Sequence, residues 1–121
     1  MSVLKRQTGV RVEAELWEAY RELCKRQKLR PSHPIEDFLR LVVNEDSAVG
    51  VLRLMREAAK ARVEGQEAYA RVLLDWYTHD KFWVDVSEEE QVPVEKMLLD
   101  ALRTVADSEL RGQIEEALKY R

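Results

Sequence analysis

Val10-Arg11-Val12-Glu13-Ala14-Glu15-Leu16-Trp17 is the stretch in which the period of the chain changes. Before Glu13, Thr8, Val10 and Val12 fall on one face and Gln7, Gly9 and Arg11 on the other, which is strand spacing. After it, Leu16, Tyr20, Leu23 and Cys24 recur at i, i+4, i+7 and i+8. A helix of about four turns is therefore expected from Glu13 to about Lys28. Pro31 and Pro34 break the chain and start a second helix, with Pro34 at its first position and Ser32 or His33 as its cap. Ile35, Phe38, Leu39, Val42 and Val43 supply the apolar stripe of that helix.

A short strand is not stable alone. Its simplest partner is the same strand in a second copy, which gives a two-fold ribbon with Val10 and Val12 inward and Gln7, Gly9 and Arg11 outward. The order strand, helix, basic turn, helix over residues 5 to about 45 resembles the ribbon-helix-helix (Arc/MetJ-like) DNA-binding family. The resemblance implies a ribbon in the major groove of double-stranded DNA, with base contacts from Gln7, Gly9 and Arg11. It also implies a DNA phosphate at the start of the second helix, near Ser32 and His33. Arginine pairs bidentately with guanine and glutamine with adenine. Lys5, Arg6 and Arg30 add sequence-independent attraction. Two departures stand out: Gly9 has no side chain at the middle reading position, and Arg30-Pro31-Ser32-His33 lies where members of that family often carry a glycine near the end of the first helix.

Further along, a third helix is expected from about Ser47 to Glu64, stopping at Gly65, and a fourth from about Gln66 to His79. Phe82, Val84 and Val86 alternate, so Asp80 to Val86 is read as extended. Ser87 to Glu90 form a capping box. Pro93 interrupts or restarts that helix, and a stripe from Val94 continues to Ala106. Asp107-Ser108 caps a last helix with Leu110, Ile114, Ala117 and Leu118 inward. The expected fold is mainly α, with a ribbon-helix-helix domain over residues 1–45. An acidic helical domain over 46–121 would serve oligomerisation or partner binding.

Composition supports a folded chain: 121 residues, 45% hydrophobic and 36% charged. Four glycines and three prolines are too few for the turns of an all-β fold. Residues 1–40 carry a net charge of +3 and residues 41–121 a net charge of −6. A basic head on an acidic body suggests that the head meets a polyanion. The single cysteine, Cys24, excludes an intramolecular disulfide and a CxxC site, and is read as a small buried hydrophobe. His79 beside Asp80, four residues after Asp75, is too small a set for a metal. Trp17, Trp76 and Trp83 are read as packing residues. No P-loop, GxGxxG, GxSxG or HExxH is present, so neither an enzyme nor a cofactor is expected. No apolar run spans a membrane and none follows the N-terminal charges, which makes the cytoplasm, or the nucleoid, the expected location.

The expected function is that of a homodimeric, sequence-reading DNA-binding protein, a transcriptional regulator. One alternative is an antitoxin or a plasmid partition or transfer protein whose helical tail binds a protein partner. Another is an all-helical adaptor with no nucleic-acid role.

Overall fold

The computed structural model describes residues 9–78 and 88–119. Among them six helices follow in order: α1 (Ala14–Gln27), α2 (Ser32–Val42), α3 (Ala48–Ala59), α4 (Val63–Thr78), α5 (Glu88–Ala101) and α6 (Ser108–Lys119). The chain divides into two compact units, Met1–Leu41 and Val42–Arg121.

The expected strand is not there in its described part. Residues 9–12 are irregular, and no strand occurs among the described residues. Alternation of Val10 and Val12 alone does not make a strand, because the backbone needs a neighbouring ladder to bond to. The mainly helical character of the chain stands, and its ribbon-helix-helix part is corrected to a pair of helices preceded by irregular chain. Gln7 and Thr8 lie outside the described residues, as do His79 and the segment 80–86.

In the first unit, α1 begins one residue later than its periodicity suggests and ends at Gln27. Its end is a Schellman turn: the Leu29 N–H donates to the Cys24 carbonyl (2.8 Å) and the Lys28 N–H to the Lys25 carbonyl (3.3 Å). The second helix starts at Ser32, so Ser32 and His33 lie in its first turn and do not cap it from outside. Pro34 is tolerated there because the first turn leaves its amides without helical partners.

The second unit holds the apolar core. Val49, Leu52, Ala70, Leu73, Val94, Leu98, Val105, Leu110 and Ile114 are all buried. Helix α4 packs against α3, α5 and α6, and α3 also meets α5. Ser47 caps α3, its hydroxyl accepting from the Gly50 N–H at 3.1 Å. The expected continuous helix to Glu64 is broken earlier, at 60–62, and Gly65 lies inside α4. The Gln66 side-chain amide donates to the Lys60 carbonyl at 2.9 Å, satisfying an end group of α3. A Cβ on Gly65 would lie 2.4 Å from the Ala59 carbonyl oxygen, so the tight α3–α4 turn needs a glycine there.

Helix α5 runs continuously through Pro93, its sixth residue, where the expectation was an interruption. It ends at Ala101, not Ala106; Leu102 to Val105 unwind through turn hydrogen bonds. The Arg111 guanidinium donates to the carbonyls of Leu102 and Val105 and pins that unwound stretch. Asp107 caps α6 as the sequence indicates, its carboxylate accepting from the amides of Glu109 (2.9 Å) and Leu110 (3.1 Å).

Two tyrosines on α4 tie its neighbours. Tyr69 donates to the Leu52 carbonyl on α3 (2.7 Å), and Tyr77 to the Glu95 carboxylate on α5 (2.7 Å). Burial pushes the Tyr69 phenol above the ordinary tyrosine value, against the pull of Arg56 and Arg53. The unfolded chain therefore loses this proton first as pH rises, and the associated stability is lost on going upward through the folded value. Urea unfolding of the wild type should weaken above pH ~10 more steeply than that of Tyr69→Phe. Equal slopes would show that Tyr69 does not carry the effect.

The glycines give a sharper test. Gly65→Ala should lose roughly 1–3 kcal/mol by overpacking against Ala59. Gly112→Ala, in α6 with nothing near its Cβ position, should gain up to about 1 kcal/mol by helix propensity. Denaturant midpoints moving in opposite directions would bear this out; a shared direction would not.

Candidate functional site

The most distinctive charged feature lies where α1 turns into α2. Lys25 and Arg26 end α1, Lys28 makes the turn, and Arg30 and His33 lead into α2. No acidic residue intervenes between Glu22 and Glu36. All five side chains are exposed, and among the described residues none of the four Lys and Arg side chains forms an ion pair. The nearest acids on α2, Glu36 and Asp37, are engaged by Arg40 at 2.6 and 2.5 Å. The turn thus presents uncompensated positive charge.

Its backbone is tightly specified. Lys28 is the one non-glycine residue with positive φ among those described (φ 56°, ψ 43°). A glycine would adopt this conformation without strain, which is why glycine is the usual residue at such a helix end. Tyr20 reaches across from α1 and donates to the Pro31 carbonyl at 2.5 Å, fixing the path of the turn. Tyr20 also stacks in a tilted arrangement on Trp17, ring centroids 5.5 Å apart.

The positions singled out in the sequence fare differently. Arg30, Ser32 and His33 come together at the turn and are exposed. The His33 N–H donates to the Arg30 carbonyl at 3.0 Å, and Pro34 has no N–H. Anion attraction at this end of α2 therefore rests on side-chain charge more than on free amides. Gly9 and Arg11 are exposed in irregular chain, with no ribbon to set them in a groove. Lys5, Arg6 and Gln7 lie outside the described residues. Lys25, Arg26 and Lys28 were missed as candidates because cations suit a helix C-terminus anyway. The acid-free run from Leu23 to Ile35 was the signal that could have found them.

The same unit exposes a second feature. Cys24 is its one buried side chain among the described residues. Ile35, Phe38 and Leu39 recur along one face of α2 and are all exposed, Leu39 by 52%. Leu16 and Leu23 are exposed on α1, Leu16 by 60%. No helix among the described residues is long and apolar enough to cross a membrane, and none of those residues gathers into a group of three or more His, Cys, Asp or Glu able to hold a metal. No protein-family model, curated protein or solved structure matches this chain.

Replacing Lys28 by glycine should relieve the strain of its left-handed conformation. Exchange of the Leu29 amide, which closes the turn on Cys24, should slow about fivefold, equivalent to roughly 1 kcal/mol. Lys28→Gln, which keeps the strain, should leave that rate unchanged. Equal rates in all three proteins would mean that the turn stores no strain.

Proposed function

We propose that this chain is a homodimeric double-stranded DNA-binding protein. It grips the phosphate backbone through the basic α1–α2 turn. The observation that carries the reading is the acid-free cluster Lys25, Arg26, Lys28 and Arg30, without an ion pair among the described residues and joined by His33. Such a cluster releases condensed counterions when it meets a polyanion, which gives salt-dependent affinity. Ser32 lies at the same turn and adds a hydroxyl donor toward phosphate.

The energetics of the first unit support dimerisation. Chains below about 40 residues rarely bury enough surface to hold together without a metal, a disulfide or a partner. This unit spans Met1–Leu41 and buries one side chain among those described. A second copy laid against Leu16, Leu23, Ile35, Phe38 and Leu39 removes that apolar surface from water, at ~25 cal/mol per Å². Two copies also double the basic turns offered to one duplex. The same apolar face favours a second reading, an all-helical adaptor in which another protein covers it.

Fluorescence anisotropy on duplex DNA across a salt series tests the proposal, with sedimentation equilibrium run beside it. The wild type should bind as a species of twice the chain mass. Lys28→Gln combined with Arg30→Gln should reduce the salt slope by about 3.6, because the dimer loses four cations that neutralise phosphates, two from each copy. Phe38→Asp with Leu39→Asp should give a monomer of weaker DNA affinity. A folded dimer with no DNA binding at low salt would overturn the DNA reading, and a monomeric wild type would overturn the dimer and leave the adaptor.

A further inference from the structure

The second unit contains an open groove of about 200 Å³ between α3, α4 and α5. Its apolar lining comes from Ala59, Met97 and Ala101, with the ring of Tyr69 beside them. Arg56 on α3 and Asp100 on α5 line the same groove and bring opposite charges to it.

Both side chains are exposed to water and stand open to a ligand. Among the described residues neither side chain forms an ion pair or hydrogen bond, and they are not within 4.0 Å of each other. Lys60, the other cation on the groove, is engaged by Glu57 at 2.6 Å, and its ammonium holds the Glu57 carboxyl below the usual glutamate range. The Tyr69 hydroxyl spends its proton on the Leu52 carbonyl, so toward the groove it can only accept. Among the described residues the groove therefore offers a cation and an anion outside any ion pair, with acceptors on Tyr69, Gln66 and Thr104, around a small apolar floor.

We propose that this groove binds a free α-amino acid with an aliphatic side chain. The carboxylate would meet Arg56, the ammonium would meet Asp100, and the side chain would lie on Ala59, Met97 and Ala101. The volume lies below the ~300–1,000 Å³ of sites for drug-sized ligands, which suits a ligand of one residue. A ligand with one charge would engage only Arg56 or only Asp100, whereas a zwitterion engages both. This site is independent of the DNA reading, since it lies wholly in the second unit.

L-Leucine titrated into the full chain, followed by the methyl NMR signals of Met97, Ala59 and Ala101, tests the assignment. Those signals should shift saturably. N-Acetyl-leucine lacks the ammonium and leucinamide lacks the carboxylate, so each should bind about tenfold more weakly. Arg56→Gln should weaken leucine about tenfold and leave leucinamide unchanged. Asp100→Asn should weaken leucine similarly and leave N-acetyl-leucine unchanged. Both residues are exposed, so neither change threatens the fold. Absence of shifts up to about 20 mM leucine would overturn the proposal. Equal binding of the three ligands would also overturn it, since the groove would then recognise only an aliphatic chain.

Discussion

The buried seam of α4, Ala70 and Leu73, is the contact on which the second unit depends. Three helices pack on α4, and the small side chain of Ala70 lets a neighbour come close. Each fully buried leucine in this core, such as Leu52, Leu98 or Leu110, contributes roughly 1.5–3 kcal/mol by leaving water. The polar ties are few and placed around the seam. Tyr69 reaches α3, Tyr77 reaches α5, and Arg71 pairs with Asp107 ahead of α6 at 3.4 Å. That last pair is exposed and worth little by itself. The apolar seam supplies the energy, and the tyrosines tie α4 to a backbone carbonyl of α3 and to a carboxylate of α5.

The first unit has helices without a core of its own. Its stripes have helical spacing, yet Ile35, Phe38 and Leu39 remain exposed. Hydrophobic surface of this regularity costs free energy in water, and a short helical pair cannot fold back far enough to hide it. Beside it stands a turn that keeps four cations free of ion pairs among the described residues. Exposed apolar surface calls for a partner, and uncompensated charge calls for an anion. The proposed DNA-binding dimer would answer both.

Local signals in the sequence translated well where the physics is local. Asp107 reads as a cap because a carboxylate before a helix accepts amide protons whatever the rest of the chain does. The stripe Ile35, Phe38, Leu39, Val42 reads as a helix because its period is 3.6. Val10 and Val12 misled, since alternation over so few residues says which face is apolar but cannot supply the ladder a strand requires. Lys28 carried no sign of its left-handed backbone, because glycine is the residue that announces one. Gly65 suggested a helix end, whereas its role is to let the chain pass the Ala59 carbonyl. The Arg56–Asp100 groove was invisible in the sequence, its charges being contributed by separate helices.

The sequence by itself determined the helical character of the chain, its basic head and acidic body, and the caps and stripes of single helices. These follow from interactions spanning a few residues. Tertiary structure decided where helices break, which apolar stripes are covered and which charges remain unpaired. Those outcomes depend on what each segment meets in space: α4 meets three helices and disappears into a core, while α2 keeps its apolar face in the open.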